Sequence, residues 1–386
     1  NQINTDANLR YGGDISNKGS YRVYGHIKNS NASNKGISLI PNDTTKQYSF
    51  GLRADFTPSD EWSGLFQGDI THSKLGQNYR GVVDETNVNK SFSDDLKRTD
   101  SRMMARIENR ISTNANQMLQ ISWLKQNGDQ TYIKEDFESL DIDYQMNFIY
   151  QSLQLDWGIN YRYNTISFAE SVFLDSDKDL DNLKQYGGLV QAQYNFIPDT
   201  LDFIIGTKLD HNDLTGWENQ PSARLVYNPK ENHLTWGSIS RSVRTPTLIE
   251  FNDNYKVNGT EVIDIIGVKT GIPEIDDYRI ATFLNGNDKV KSENYISYEL
   301  GYRYTNNNLS LDFSAFHTDA TDVAAVKLNM QLEQFLPAVT FFQAGQFEQA
   351  AQSLTTTEIN LDLVSVGKTT TEGFDIVLSW QPIDSI

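Results

Sequence analysis

The chain has 386 residues, with 33 Lys plus Arg against 51 Asp plus Glu and a net charge of −18. That acidity disfavours phosphate-backbone binding, so no nucleic-acid partner is expected. The absence of cysteine excludes a disulfide scaffold, a thiolate zinc site and a thiol nucleophile. His26, His72, His211, His233 and His317 are too scattered for an HExxH-type metal motif. No apolar run approaches the roughly 18 residues of a membrane helix, and the first residues do not read as a signal peptide. Many aromatics in a modestly apolar chain leave one membrane class open, the β-barrel.

Alternation with period two dominates the chain. In chain order it predicts strands over 3–11, 20–28, 47–57, 62–72, 101–111, 116–126, 136–147, 152–163, 185–196, 200–210, 222–228, 233–240, 294–304, 309–317 and 371–380. Tyr48, Phe50, Leu52, Ala54 and Phe56 alternate with polar or small residues, as do Leu153, Leu155, Trp157, Ile159, Tyr161 and Tyr163. Each strand therefore has one apolar and one polar face. Most have 9–12 residues. Soluble strands average about 5–6, whereas a tilted membrane strand needs about 9–11.

The connections alternate in predicted length. Short ones fall at 12–19, 58–61, 112–115, 148–151, 197–199, 229–232 and 305–308; long ones at 29–46, 73–100, 127–135, 164–184, 211–221, 241–293 and 318–370. Several short ones carry Pro and Asp (Pro58-Ser59-Asp60, Pro198-Asp199), which suit tight turns. A soluble propeller or sandwich would alternate along its strands too, but would not place every long loop on one side. The expected fold is all-β: a transmembrane antiparallel barrel with tight periplasmic turns and long outer loops. Fifteen strands cannot close such a barrel, so residues 1–386 read as a partial barrel domain.

Charges on the lipid side would cost about 2–4 kcal/mol near the midplane. Arg53, Asp55, Asp156, Arg162, Arg224, Arg244 and Glu299 should therefore face the lumen, with Arg224, Arg244 and Glu299 able to pair there. Residues 331–354 break the β pattern, and their Ala, Gln and Glu content predicts a short helix in the longest loop. Asp175-Ser176-Asp177-Lys178-Asp179-Leu180-Asp181 begins like a calcium loop. Leu180 and Tyr186 stand where Gly and Glu would be required, leaving a solvated acidic tip or a weak calcium site. No other cofactor is expected. With no GxSxG elbow and no phosphate loop, the chain does not read as an enzyme.

Several stretches resemble the barrel of TonB-dependent outer-membrane receptors. These are Asn8-Leu9-Arg10-Tyr11-Gly12-Gly13 with Tyr21-Arg22-Val23-Tyr24-Gly25, and Phe50 to Phe56 with Leu65-Phe66-Gln67-Gly68-Asp69. Ser240-Arg241-Ser242-Val243-Arg244-Thr245-Pro246-Thr247-Leu248-Ile249-Glu250 follows, with Val243 where the family has Phe. Gly286-Asn287 and Val290-Lys291-Ser292-Glu293-Asn294 through Gly301 come next, with Asp288 replacing a usual Pro, and then Thr371-Glu372-Gly373-Phe374-Asp375. The resemblance covers the whole chain. It implies a barrel of about 22 strands, entered here in the family's second strand and left after its sixteenth. It also implies an N-terminal plug with a TonB box outside this sequence.

By that resemblance the protein is an outer-membrane active transporter of a Gram-negative bacterium. It binds a scarce ligand, most readily a ferric siderophore, and draws on TonB through the plug. Outer-membrane lipid and lipopolysaccharide would surround it. Tyr79, Arg80, Trp217, Arg241, Arg244 and Tyr255 are the candidate ligand-binding residues, because loop aromatics and Arg forks suit anionic chelates. The net negative charge argues mildly the other way. Haem receptors of the family place a ligand His between the two central motifs, and residues 247–292 contain none. The alternatives are a passive porin of about 16–18 strands, a receptor for cobalamin or an oligosaccharide, and an adhesive barrel.

Overall fold

The computed structural model describes residues 3–33, 42–82, 89–130, 133–169, 174–175, 182–251, 254–257 and 268–381. Its strands are β1 (Ile3–Ser16), β2 (Gly19–Ser30), β3 (Thr45–Ser59), β4 (Trp62–Val82), β5 (Asn89–Ser112), β6 (Ala115–Asp129), β7 (Lys134–Tyr150), β8 (Leu153–Ala169), β9 (Leu174–Asp175), β10 (Asn182–Ile197), β11 (Leu201–Asn212), β12 (Gly216–Lys230), β13 (His233–Arg244), β14 (Asn254–Val257), β15 (Ala281–Asn285), β16 (Glu293–Thr305), β17 (Leu309–Asn329) and β18 (Glu358–Trp380). Among the described residues four helices lie on the loop side: α1 (Leu248–Phe251), α2 (Pro273–Asp276), α3 (Leu336–Gln343) and α4 (Phe347–Leu354).

The fifteen long strands are those that the alternation predicts, and each pairs antiparallel with the next long strand in sequence. β9, β14 and β15 are short additions within the outer loops. Among the described residues no ladder joins β1 to β18.

Directly paired residues share a face. Following the ladders from Tyr298 gives Ile239, Ala223, Ile205, Ala192 and Leu155. From Phe56 they give Gly64, Ile107, Leu119, Tyr144 and Ile159. This is the bilayer face. The opposite face carries Arg53, Gln67, Met104, Ser122, Asp141 and Arg162 in one row, and Arg224, Ser238 and Glu299 in another. The charged set lies on the lumen side, as expected. Arg53–Asp55 (2.7 Å) and Arg303–Asp312 (2.5 Å) pair there. Aromatic rings on the same side cover glycines of the next strand. A Cβ on Gly301 would overlap the Trp236 indole, and one on Gly51 would overlap the Tyr24 ring.

Two aromatic girdles bound the bilayer face. Tyr186, His211 and Trp217 pack together at 4.8–5.7 Å near the loops. Tyr194, Phe196 and Phe203 lie near the turns, with His233 beside Tyr302 and Tyr304. Trp217 and Tyr227 are ten positions apart on β12. At about 3.3 Å per residue and about 40° tilt this spans about 25 Å, the height of an outer-membrane apolar band.

The loop expectations need correction at four connections. Residues 73–82 and 89–100 are not a loop: they pair as an extension of the β4–β5 hairpin from Leu75↔Leu96 to Val82↔Asn89. The segments 318–329 and 358–370 likewise extend β17 and β18. Above the membrane both sheet faces meet water, so pairing continues while the apolar alternation that marks a strand disappears. Residues 211–221 are also strand, closed by a tight turn. Asn212 Oδ1 accepts from the amides of Leu214 and Thr215, and Gly216 takes φ +78°. The strict long–short alternation therefore fails at this connection, and also at 127–135, where β6 runs to Asp129 and β7 starts at Lys134. The acidic tip 176–181 lies outside the described residues.

Candidate functional site: the outer loops and the barrel rim

The two central motif stretches meet at the rim. β13 ends on Arg244, and Thr247 begins α1. Glu250 N–H donates to Thr247 Oγ1 at 3.3 Å and Thr247 N–H to Glu250 Oε2 at 2.8 Å. This reciprocal pairing is a capping box. It fixes the Glu250 carboxylate so that Arg244 meets it with both Nη atoms at 3.0 Å, while Nη2 also donates to Glu293 Oε1 at 2.6 Å.

Glu293 opens β16 and is 5% exposed. Besides Arg244 it accepts from the Tyr295 hydroxyl and from the amide of Ala324 at 3.0 Å. Arg244 and these further donors hold its carboxyl down at about 2, against the penalty of burial. Burial pushes Glu250 up, but Arg244 and the Thr247 amide outweigh it, and Glu250 is net lowered. Arg244 is pushed further up by both carboxylates. The triad sits at strand ends on the loop side of the apolar band, where strand identity is decided by side chains because the ladder stops.

The motif that follows is equally structural. Asn287 Nδ2 donates to the Leu363 carbonyl (2.9 Å), Lys291 N–H to Ser365 Oγ (2.9 Å) and Ser292 Oγ to Thr215 Oγ1 (2.9 Å). β15 then runs parallel to the upper half of β18, from Ala281↔Glu358 to Asn285↔Asp362.

Above this the two longest loops share a hydrophobic core. Tyr278, Ile280, Ala338, Ala350, Ala351 and Leu354 are buried together, and Ile275, Phe335, Phe341 and Ile359 pack around them. Ile280 and Leu354 are fully buried. Tyr278 Oη donates to the Thr355 carbonyl at 2.7 Å. The helix expected over 331–354 is present as a 3-10 turn (332–335), α3 and α4, divided at Gly345 with φ +73°. Buried alanines let α3 and α4 approach closely. The result is one packed unit made from residues of two loops far apart in sequence.

The four candidate ligand residues whose side chains are described do not converge. Arg244 faces the rim interior, but both carboxylates above occupy its fork. Tyr79 lies on the lumen side of the extended hairpin and stacks on Phe92 at 5.2 Å. Trp217 stands on the bilayer face, in the upper girdle. Arg241 also lies on the bilayer face, two positions beyond Ile239 and opposite Ile296. It reaches the Asn219 carbonyl, Asn294 Oδ1 and Glu218 (3.4 Å). It closes a gap above Ser222↔Ser240, where Pro221 has no N–H to continue the β12–β13 ladder. The side chains of Arg80 and Tyr255 lie outside the described residues, although the Tyr255 backbone pairs with Leu174 and Leu284. One lumen cation that the pattern did not single out is Arg22. It sits opposite Arg53, and its Nε is buried without a partner.

A family model, TonB dependent receptor-like, beta-barrel, matches residues 1–384. The chain belongs to that family, and it is a receptor barrel rather than an enzyme. Among solved structures it is similar to the siderophore receptor PirA from Pseudomonas aeruginosa, at 13% identity and TM-score 0.68, covering 96% of this chain and 58% of that one. It is similar to a variant of the ferric enterobactin receptor PfeA from the same organism, at 13% identity and TM-score 0.67, covering 98% and 58%. The copper transporter OprC matches at 12% identity and TM-score 0.62, covering 98% and 58%. The chain thus spans less than two thirds of these proteins. No curated protein matches the sequence.

Proposed function

We propose that the full-length protein is a TonB-dependent outer-membrane transporter that captures an iron chelate at its outer loops and passes it to the periplasm. The observation that carries this reading is the packed unit over the barrel wall, in which Tyr278, Ile280 and Leu354 join two long loops. A passive pore gains nothing from a hydrophobic core among its outer loops, whereas a receptor needs binding groups held on a rigid support. Similarity in fold to PirA and PfeA, a siderophore receptor and a ferric enterobactin receptor, supports the choice of iron chelate. OprC shows that the same fold serves copper, so the ligand is the part of the proposal most exposed to test.

The ligand would lie on the lumen side of the outer hairpin, against Tyr79 and its stacking partner Phe92. A plug segment, contact with TonB and residence in a Gram-negative outer membrane belong to the same proposal. The test is growth under iron limitation on a panel of ferric siderophores, with and without TonB. Loss of one siderophore's use on deletion, equal to the loss on removing TonB, supports the reading. Uptake that persists without TonB supports the porin.

A further inference from the structure

Above the membrane, β15 and the upper parts of β17 and β18 form a three-stranded patch, with β15 parallel to β18 and β17 antiparallel to it. Paired residues share a face. One face carries two rows: Phe283, Asn360 and Asn329, then Asn285, Asp362 and Lys327. At about 4.8 Å between strands and about 6.6 Å between residues i and i+2, the six positions cover about 10 by 7 Å. The opposite face is occupied, since Ile359 packs on the loop core and Thr282 beside it is buried. On the first face Lys327 and Asn329 are exposed and the other four are half-buried, so ligands can reach it.

The composition of this face runs against strand preference. Asn and Asp are depleted in sheets, because their short polar side chains compete for backbone groups. Here they fill four of the six positions. They serve no turn or cap. Asn285 Nδ2 donates to Asn360 Oδ1 at 3.1 Å and to Asp362 Oδ1 at 3.0 Å, and Asn329 Nδ2 donates to Asp362 Oδ2 at 2.8 Å. All three bonds join side chains of the group to one another, so they orient the group without securing the ladder. A local preference broken with no structural return marks a functional surface. Asn360 Nδ2 and Lys327 Nζ are left to donate, and Asn285 Oδ1 and Asn329 Oδ1 to accept. Asp362 and Lys327 cancel in charge, so the array is neutral. Phe283 adds an apolar ring at one corner. Donors and acceptors interspersed beside an aromatic ring match a ligand with vicinal hydroxyls and an apolar C–H face. Sheet faces of OB-folds hold oligosaccharides.

We infer that this face of the outer sheet is a binding site for a neutral oligosaccharide, with one sugar ring on Phe283 and the next across Asn360 and Asn329. The site belongs to the loop unit and shares no strand with Tyr79 and Phe92, so it holds whichever ligand the barrel imports.

The experiment is isothermal titration calorimetry of the full-length protein, in a detergent without a sugar headgroup. The probes are maltohexaose, cellohexaose, mannohexaose and, as the anionic member, hexagalacturonate. Wild type should bind at least one of the neutral chains. Phe283→Ala removes the ring and should weaken that binding about tenfold, the loss of one principal contact. Asn360→Leu removes the donor at similar volume and leaves Asn285 its bond to Asp362. It should lose about as much, and it carries the test alone if Phe283→Ala does not fold. Tyr79→Ala, in the β4–β5 hairpin, should bind as wild type does. Heat-modifiable migration on gels verifies folding. No binding of any neutral chain, equal binding in wild type and both sheet variants, or a preference for hexagalacturonate would overturn the site. So would a loss in Tyr79→Ala equal to that in Phe283→Ala, which would place the sugar in the lumen.

Discussion

Arg244 Nη2 donates to Glu293 Oε1 at 2.6 Å, joining the last residue of β13 to the first residue of β16 across a loop of 48 residues. Since Glu250 takes the rest of the same fork, one guanidinium fixes where the chain leaves the barrel and where it returns. Glu293→Gln leaves Arg244 with one carboxylate and should cost about 1–3 kcal/mol, less than a fully buried pair because Arg244 is partly exposed. The effect should be local: faster proteolysis of the outer loops, with unchanged heat-modifiable migration of the barrel.

The same residue sets a pH dependence. The Glu293 carboxyl lies at about 2 when folded, against an ordinary value of 4.5. A folded value below the unfolded one means stabilisation that is full above about 4.5 and is lost as the pH falls toward 2. Protease resistance of the loops should therefore hold from pH 7 to 5 and decline below 4.5. In Glu293→Gln the contribution of this site to that decline should be gone. An unchanged acid profile would show that the carboxylate is not what secures the rim.

The loop core makes a separate prediction. Leu354 is fully buried on α4, and Leu354→Ala should cost about 2–5 kcal/mol of the local unit's stability. Hydrogen exchange should accelerate in 335–357 and also in 275–285, because the two segments share one core. Acceleration confined to 335–357 would mean that the loops fold independently.

The strands were legible in the sequence wherever one face meets lipid and the other the lumen. Phe50, Leu52 and Phe56 alternate because a bilayer tolerates nothing else on their side. The hairpin extension over Leu75 to Val82 was illegible for the converse reason, since water on both faces imposes no alternation. The candidate site was less readable. Arg244 could be placed on the lumen side by pattern, but its partners Glu250 and Glu293 come from a capping box and a strand start distant in sequence. Trp217 and Arg241 fell in the predicted loops 211–221 and 241–293, but β12 starts at Gly216 and β13 runs on to Arg244. Pairing of His211 with Trp217 and of Arg241 with Ile296 carries both strands through, and the alternation then puts both residues on the bilayer side. The core of Ile280 and Leu354 had no local signal beyond helix-forming Ala and Gln.

Topology can be checked on the cysteine-free background. Gln346→Cys, between α3 and α4, should react with an impermeant thiol reagent on intact cells. Asp199→Cys, in the turn between β10 and β11, should react only after the outer membrane is permeabilised. Labelling of both from the same side would refute the assignment of loops and turns.

The central claim, energised uptake of an iron chelate, is tested most directly by transport of ⁵⁵Fe-loaded siderophores into cells that express the full-length protein as their sole receptor of this kind. Accumulation of at least one ferric siderophore that stops when TonB is removed, or when the proton-motive force is collapsed, is the predicted result. Accumulation that continues without TonB, or none for any ferric chelate alongside TonB-dependent uptake of a copper complex, cobalamin or a glycan, would contradict it.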